Sequence, residues 1–457
     1  MYNCICTTFS IYLCVTCIVA SMMNKVMTNI QRYVRIRKLH TIISRETIKP
    51  SFPTPLHLKT HNLSLIDYLS PHLHVPWLFF FENYNNEDIN KLKKSLSKSL
   101  THYYPFAGRL LGPQTIECND EGVEFVEASI HSSLDEFIRK RYQDETLDQL
   151  VPNALGCIVN KTSPNTAAVQ LSYFLCGGAA VGVSISHMAG DAFTMLSFVN
   201  HWATITRGGS PLSPTFFTSS TSNYKIPEFP IEFSIAAQEE APKLKYATRR
   251  FIFPNSKLSA LKNKINAMGT RLVNPTRVES LTSLLFKCAA ATKPMSSQPI
   301  SLNRMVNVRG KTNANIPELA LGNLYAMVTT KIMDSSRIEL NEVVTSMRKG
   351  IMEVQGVREV EDIGKMMVNA WLTLMRDHVR TYGVSSVCRF PLYQVDFGWG
   401  KPVRVMLRSG GIEGNVFVLM DTPPPSGDGI EATVHLEEKE MSVFQEDKEL
   451  QRYAEDD

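Results

Sequence analysis

Hydrophobic residues follow a helical period and then a strand period in the N-terminal part of the chain. Over residues 86–104 they recur at spacings of three and four with lysines between them, which predicts an amphipathic surface helix. Over 169–175 and 181–185 they alternate on either side of a Gly-Gly pair, which predicts two adjacent strands joined by a tight turn. Beyond His187 the period becomes helical again, so a helix is predicted to begin at Asp191.

The C-terminal part of the chain is preceded by a stretch that has no hydrophobic period. Residues 208–230 are dense in Ser, Thr, Pro and Gly, as expected of a long surface connection. Further along, the patterns predict two helices and three strands. The helices are expected at 256–268 and 278–290, and the strands at 248–253, 417–420 and 432–436.

This mixture of helices and strands predicts an α/β fold with mixed sheets. A chain of 457 residues is long enough for about two or three domains, each with its own core. We expect two, with the crossover between them in the Ser- and Pro-rich stretch. The expected division is an N-terminal extension over 1–40, a first domain over 41–207, a crossover linker over 208–232 and a second domain over 233–457.

The charge balance excludes one class of partner. The chain has 48 basic and 44 acidic residues, a formal net charge of +4, and 20% charged residues in all, which is ordinary for a globular protein. It has no cluster of Lys and Arg interleaved with aromatic residues, so nucleic acid is not an expected partner. Its nine cysteines are neither spaced as a disulfide framework nor paired as zinc ligands, so no metal is expected.

The stretch from Cys4 to Ala20 is apolar and uncharged. It ends in small residues like a signal peptide, but it lacks a basic region before the apolar run. At about 17 residues it is at the short limit for a membrane-spanning helix. Three interpretations stay open: an extension foreign to the folded protein, a signal or anchor, or a segment that packs on the fold. We expect a cytoplasmic protein, with a secreted or membrane-anchored form as the alternative.

The segment Ser184-Ile-Ser-His187-Met-Ala-Gly190-Asp191 places a histidine where a predicted strand ends and an aspartate where a helix begins. A histidine near its ordinary pKa is neutral enough at pH 7 to take a proton from a hydroxyl group. Asp191 has two interpretations, since it could order the loop through an ion pair or cap the following helix. By itself, an HxxxD spacing does not separate a catalytic base from a structural histidine.

A second and rarer motif helps to decide between these two interpretations of His187. Residues 388–402 contain Asp396-Phe397-Gly398-Trp399-Gly400, a Gly-Trp-Gly turn beside a series of aromatic residues. With HxxxD near the middle of the chain and DFGWG near its end, the sequence resembles the plant BAHD acyltransferases. Further stretches also resemble that family, and the likeness extends over about residues 42–445. These stretches include Leu63-Ser-Leu-Ile-Asp67, Tyr104-Pro-Phe-Ala-Gly108-Arg109, Asn307-Val-Arg309 and Leu321-Gly-Asn323.

The resemblance implies a soluble monomer of two related mixed-sheet domains, similar to chloramphenicol acetyltransferase, with the active site in a channel at their interface. It implies that an acyl-CoA enters as co-substrate, that no cofactor or metal is bound, and that His187 is the catalytic base. Asp191 would form an ion pair, here with Arg309, that orders the active-site loop together with Gly190. The motif Asp396, Phe397, Gly398, Trp399 and Gly400 would be structural.

Several segments narrow the resemblance to the branch of the family that O-acetylates alkaloids, terpenoids and related alcohols. They include 48–55, 118–127 and 174–178. We therefore expect transfer of acetyl from acetyl-CoA to a hydroxyl of a monoterpenoid indole alkaloid. The alternatives are hydroxycinnamoyl or malonyl transfer to a phenolic or terpenoid alcohol, or a homologue that binds without catalysis. Because pocket residues and not the hallmark motifs set the acceptor, the motifs leave this choice open.

Overall fold

The structure is a computed structural model, and its description covers most of the chain from His40 onward. The described residues are 40–84, 89–112, 114–139, 144–152, 165–217, 245–269, 274–293, 299–333, 337–408, 414–425 and 427–456. The apolar stretch from Cys4 to Ala20, and with it the interpretations of the N-terminal extension, lies outside these residues.

The described residues form strands and helices in alternation. The strands are β1 (His40–Ile48), β2 (Thr60–Asn62), β3 (His74–Phe81), β4 (Arg109–Leu111), β5 (Thr115–Glu117), β6 (Val123–Ile130), β7 (Ala167–Phe174), β8 (Ala179–Ser186), β9 (Thr215–Phe216), β10 (Tyr246–Phe253), β11 (Ile300–Asn307), β12 (Ala320–Leu321), β13 (Tyr325–Ile332), β14 (Arg380–Ser386), β15 (Arg404–Leu407), β16 (Asn415–Asp421), β17 (Ile430–Glu437) and β18 (Glu455–Asp456). The α-helices are α1 (Leu65–Leu69), α2 (Ile89–His102), α3 (Leu134–Arg139), α4 (Asp144–Leu147), α5 (Ala192–Thr206), α6 (Asn255–Ala267), α7 (Arg277–Ala290), α8 (Leu340–Gln355), α9 (Val360–Arg376), α10 (Glu438–Phe444) and α11 (Lys448–Tyr453).

Two large sheets organise the fold. One has the strand order β1-β6-β7-β8-β3-β15 and the other has the order β13-β11-β14-β16-β17-β10-β18. Each is mixed, because β6 and β7 pair in parallel in the first sheet, as do β11, β14 and β16 in the second, while the other neighbours are antiparallel. The predicted α/β fold with mixed sheets is confirmed.

Several predicted elements are present with bounds close to those expected. The predicted amphipathic helix is α2, and its apolar face packs on α5 in the core of the first sheet. The two alternating segments are β7 and β8, which pair across the turn that contains Gly177. The strands predicted near the C-terminus are β16 and β17, which are antiparallel neighbours. Of the predicted crossover, residues 218–232 lie outside the described part of the chain.

The first sheet takes a strand from the C-terminal part of the chain. Strand β15 pairs with β3, with Arg404 opposite Phe80. The motif around Phe397 and Trp399, expected in the second domain, packs in the core of the first sheet. A short parallel pair, β9 with β12, makes a second link, and it places the residues after Leu321 beside the end of β8. The two sheets therefore do not separate at one point in the sequence, and the division into domains at 208–232 stays a prediction.

Within the described residues, no helix combines the length and the apolar character needed to cross a membrane.

Candidate active site

His187 lies where strand β8 gives way to helix α5. Residues His187–Ala189 form a 3-10 turn after the strand, and the backbone N–H of His187 donates to the carbonyl of Leu73 at 2.9 Å. Gly190 then brings the chain so close to the helix that a Cβ at this position would lie 2.6 Å from Cγ2 of Thr194. The absence of a side chain at Gly190 therefore sets how closely this histidine loop, residues 187–191, meets the helix.

The imidazole ring of His187 is held by the side-chain amide of Asn323. Nδ1 of His187 lies 3.1 Å from Oδ1 of Asn323, and Nδ2 of Asn323 donates to the His187 carbonyl at 2.7 Å and to Oδ1 of Asp67 at 2.8 Å. Both partners of Nδ2 are acceptors, so the amide nitrogen faces them and the amide oxygen faces the ring. In the neutral ring the proton is therefore on Nδ1, and Nε2 has the free lone pair.

Burial favours the neutral form of this ring. It lowers the pKa of His187 from its ordinary value, and the contact with its own backbone carbonyl and the negative charges of Asp191 and Asp67 oppose that shift. The ring of Tyr325 meets the imidazole edge-on, with centroids 6.1 Å apart, and burial raises the pKa of this phenol. At pH 7 the imidazole is thus neutral and able to accept a proton.

Asp191 occupies both positions that its sequence context suggested. As the N-cap of α5, its Oδ1 accepts the backbone N–H of Thr194 at 3.0 Å. The same carboxylate accepts two hydrogen bonds from Arg309, at 2.7 and 3.0 Å, which is the ion pair that the resemblance implied. The backbone N–H of Leu324 is a further donor at 3.1 Å. The two interpretations are therefore compatible, since the two oxygens of this carboxylate accept the cap hydrogen bond and the ion pair at the same time.

Arg309 connects the histidine loop to the segment around β12. Its side chain donates to the carbonyls of Ala320, at 2.6 Å, and Gly322, at 2.9 Å, as well as to Asp191. The guanidinium also lies over the ring of Phe193, 4.5 Å from its centroid. Arg309 is 4% exposed and Asp191 is 7% exposed, so the pair is buried. This buried ion pair therefore holds the segment around β12 against the start of α5.

The tryptophan loop, residues 396–400, is held by backbone hydrogen bonds and by aromatic packing. Oδ1 of Asp396 accepts the backbone N–H groups of Gly398, at 2.7 Å, and Gly400, at 3.1 Å. Both glycines have positive φ angles, 103° and 87°, which favour glycine at these positions. The rings of Phe397 and Trp399 pack edge-on against Phe81 of β3, Tyr84 just after that strand, and Trp202 of α5. The structure thus places this motif in the packing of the first core.

Two residues of the site were given no role by the sequence. Asn323 and Asp67 stood in segments that resembled the family, but their partner His187 is remote from both in the chain, and 136 residues separate it from Asn323. No periodicity or spacing rule connects positions so far apart. In the part of the chain that the structure describes, no group of three His, Cys, Asp or Glu side chains could hold a metal ion.

Comparisons with known proteins agree with this architecture. The family model described as the Transferase family matches residues 39–451. Among curated relatives, epi-neemfruitin B synthase of Melia azedarach is 33% identical over 429 residues, covering 90% of this chain and 98% of the relative. Stemmadenine O-acetyltransferase of Catharanthus roseus is 32% identical, with 89% and 96% covered, and limonoid 1-O-acetyltransferase of Citrus sinensis is 32% identical, with 90% and 97% covered.

Solved structures show the same fold. Vinorine synthase superposes with a TM-score of 0.76 at 27% sequence identity, covering 92% of this chain and 99% of that one. The TRI101 protein of F. sporotrichioides, solved with coenzyme A and T-2, shares the fold with a TM-score of 0.63 at 18% identity, covering 87% and 99%. The resemblance found in the sequence is therefore confirmed. The chain belongs to the Transferase family of BAHD acyltransferases, and it is an acyltransferase that uses an acyl-CoA as co-substrate.

Proposed function

We propose that this acyltransferase transfers acetyl from acetyl-CoA to a hydroxyl of a monoterpenoid indole alkaloid, with His187 as the general base. One observation carries the assignment of the base. The amide of Asn323 occupies Nδ1 of His187 at 3.1 Å and so leaves the lone pair on Nε2. Burial also keeps the ring neutral by lowering the pKa of His187.

The reaction then needs little beyond positioning and one proton acceptor, because a thioester is already activated. Nε2 of His187 takes the hydroxyl proton as the alcohol oxygen attacks the thioester carbonyl. The tetrahedral intermediate collapses with cleavage of the carbon–sulfur bond. The imidazolium returns the proton to the thiolate of coenzyme A, so that the products are an acetate ester, free coenzyme A and neutral histidine.

We also propose roles for the surrounding residues. Gly190, Asp191 and Arg309 order the histidine loop, since Arg309 ties Asp191 to the carbonyls of the β12 segment. Asp396 to Gly400 are structural, because their contacts are backbone hydrogen bonds and aromatic packing. The site lies between two domains, 41–207 and 233–457, since His187 and Asp191 from the first contact Asn323 and Arg309 from the second. The enzyme acts as a cytoplasmic monomer, as the family resemblance implies.

The identity of the acceptor rests on relatives. Stemmadenine O-acetyltransferase supports an alkaloid alcohol and acetyl as the acyl group. Limonoid 1-O-acetyltransferase has the same identity to this chain and supports the second candidate, a terpenoid alcohol. The two candidate functions have the same acyl donor and the same base and differ only in the alcohol that is acylated. The pocket that receives the alcohol decides between them.

The test is release of free thiol by the full chain. Acetyl-CoA, malonyl-CoA and a hydroxycinnamoyl-CoA are each offered with indole alkaloid, terpenoid and phenolic alcohols. Acetylation of an alkaloid alcohol is the expected result, and acetylation of terpenoid alcohols alone would favour the second candidate. His187→Ala should lower kcat by about 10² to 10⁴. His131→Ala removes an exposed histidine that bonds Thr41 and should leave kcat unchanged.

Two results would overturn the proposal. A folded chain that releases thiol with none of these donors and acceptors would support a homologue that binds without catalysis. A His187→Ala variant that keeps the kcat of the unaltered chain would show that another group takes the proton. The mass of the protein in solution, measured by light scattering, tests the monomer.

A further inference from the structure

Asp67 is a buried carboxylate that accepts four hydrogen bonds near His187. Its Oδ2 accepts the backbone N–H and the hydroxyl of Ser64, each at 2.7 Å, and Oγ of Ser64 accepts the backbone N–H of Asp67 at 3.1 Å, which completes the capping box of helix α1. Its Oδ1 accepts the backbone N–H of Asn323 at 3.1 Å and the Nδ2 of the same residue at 2.8 Å. The capping box explains one carboxylate oxygen, and the other is aimed entirely at Asn323.

Those contacts decide which way the Asn323 amide points. A carboxylate only accepts hydrogen bonds, so the group facing Oδ1 of Asp67 must be the NH₂ of Asn323. The amide oxygen is then left to face Nδ1 of His187, at 3.1 Å. An amide oxygen only accepts, so Nδ1 must carry the proton of the neutral ring.

The chain that follows Asp67 supports the same site at two further points. The hydroxyl of Tyr325, whose ring meets His187, lies 2.9 Å from Oγ of Ser70. The carbonyl of Leu73 accepts the backbone N–H of His187 at 2.9 Å. Residues 64–73 therefore contact the histidine backbone, its ring neighbour and its hydrogen-bond partner.

We propose that Asp67 is a positioning residue of the reaction: its carboxylate fixes the amide of Asn323, and through that amide it keeps the proton of His187 on Nδ1 and the lone pair on Nε2. This inference rests on the proposed role of His187 as the base. It adds a residue that acts on the base through another side chain, that of Asn323. Its function is to select one of the two neutral tautomers of the imidazole.

Asp67→Asn is the sharpest change, because it keeps the size of the side chain and removes one acceptor. The single oxygen of the new amide can accept the hydrogen bonds of Ser64 or those of Asn323, but not both sets. In molecules whose NH₂ faces Asn323, that residue's amide loses the acceptor that fixed it and can turn over, so that its own NH₂ faces Nδ1 of His187. Nδ1 becomes an acceptor and the ring proton moves to Nε2, where it blocks proton abstraction.

The tautomer can be read directly by NMR of the full chain with ¹⁵N-labelled histidine. A ring nitrogen that carries a proton has a ¹⁵N shift distinct from one that does not, and the spectrum of His187→Ala identifies the signals of His187. We expect the proton on Nδ1 in the unaltered chain and on Nε2, wholly or in part, in Asp67→Asn. This measurement needs no substrate.

Kinetics give the second measurement, with acetyl-CoA and an alcohol that the unaltered chain acetylates. Asp67→Asn should lower kcat by about 10² with the KM for acetyl-CoA unchanged. The negative charges that act on His187 are those of Asp191 and Asp67, the cation paired with Asp191 is Arg309, and the titratable ring packed on His187 is that of Tyr325. Removing the Asp67 charge lowers the pKa of His187 further, so the acid limb of kcat/KM should move to lower pH.

Glu279→Gln is the matched control. Glu279 holds the same capping-box position in α7, is 5% exposed where Asp67 is 6% exposed, and has a second partner, Arg348, at 2.9 Å. Loss of the Glu279 charge should lower the thermal midpoint of unfolding. It should change neither the tautomer of His187 nor the acid limb of the pH profile of kcat/KM. A merely structural role of Asp67 would give the same pattern in Asp67→Asn, and that result would overturn the inference.

Further outcomes separate this inference from the proposed function. If the unaltered chain carries the His187 proton on Nε2, the inference is wrong even where Asp67→Asn does not fold. If His187→Ala keeps its activity, the proposed base is wrong. In a double-mutant cycle, the effect of Asp67→Asn on kcat should vanish in an Asn323→Ala background, since Asp67 acts through that amide. Additive effects would contradict the connection between the two residues.

Discussion

The histidine loop and the tryptophan loop are both organised by an aspartate that accepts backbone N–H groups, but different groups lie beside the two carboxylates. Asp191 faces the guanidinium of Arg309, whose side chain is 2% exposed, and the two form paired hydrogen bonds. Asp396 faces Arg207, whose side chain is 45% exposed, at 3.6 Å. One aspartate is therefore part of a buried ion pair and the other is near a solvated cation.

This difference indicates how each loop is stabilised. The histidine loop contains few large apolar side chains and depends on charged hydrogen bonds that connect remote segments. The tryptophan loop depends on Phe397 and Trp399, which pack in the first core, and its aspartate serves the local turn. Because buried charges are expensive to leave unpaired, the first arrangement is the more sensitive to a single substitution.

Arg309→Met should have the largest effect. The substitution keeps most of the aliphatic part of the side chain but leaves the buried Asp191 carboxylate without its cation. The free energy of unfolding should therefore fall by about 3 to 5 kcal/mol. kcat should fall as well, because the histidine loop loses its link to the carbonyls of Ala320 and Gly322. Urea unfolding and thiol release measure the two effects.

Arg207→Met is the matched control for that change. An exposed pair at 3.6 Å contributes about 0 to 1 kcal/mol, so this variant should unfold close to the unaltered chain. Equal losses of stability in Arg309→Met and Arg207→Met would contradict the distinction between a buried and a solvated pair.

Trp399→Ala should come next in size. The ring packs on Phe81, Tyr84 and Phe397, and its removal should lower the free energy of unfolding by about 3 kcal/mol. Folded enzyme should keep its kcat, since the proposed role of this loop is structural. Trp399→Phe, which keeps an aromatic ring in the same place, should recover part of the stability. Loss of kcat without loss of stability would instead place Trp399 in the reaction.

Asp396→Ala should have a smaller effect. It removes the acceptor of the Gly398 and Gly400 N–H groups, and each of those groups has access to water, so the expected cost is about 1 kcal/mol. Turnover should be unchanged, and Asp396→Asn, which keeps one acceptor oxygen, should be closer to the unaltered chain. A soluble and fully folded Asp396→Ala without activity would overturn the structural role proposed for this motif.

The difference between local contacts and contacts of remote segments also explains what the sequence could predict. The helix cap at Asp191, the β7–β8 pair and helix α2 are local, because their signals are a period or a cap within a few residues. The family resemblance supplied the pairing of Asp191 with Arg309, which no local rule contains. Local physics and resemblance together thus predicted the histidine loop.

The remaining features depend on contacts between segments far apart in the chain. Asp67 and Asn323 are 256 residues apart, and neither stands in a pattern that indicates a hydrogen bond to the other. Strand β15 is only four residues long, too short for a periodic signal, and its partner β3 lies in the other part of the chain. Such pairings depend on how the assembled sheets place surfaces together, so they emerge only from the structure.

A last prediction compares the two aspartates through their effect on His187 alone. Asp191 is one of the charges that oppose the lowering of the His187 pKa, because a negative charge favours the imidazolium. In Asp191→Asn that charge is gone and Arg309 is left unpaired, and both changes disfavour the imidazolium. The pKa of His187 should fall further, and the acid limb of kcat/KM should move to lower pH.

Asp396→Ala is the comparison, and its acid limb should coincide with that of the unaltered chain. The position of the limb does not depend on how much of the protein is folded and active, so the loss of stability expected in both variants does not confuse the measurement. A shift of the limb to higher pH in Asp191→Asn would mean that the carboxylate does not favour the charged ring. An equal shift in both variants would mean that the tryptophan loop acts on the base as strongly as the buried ion pair does.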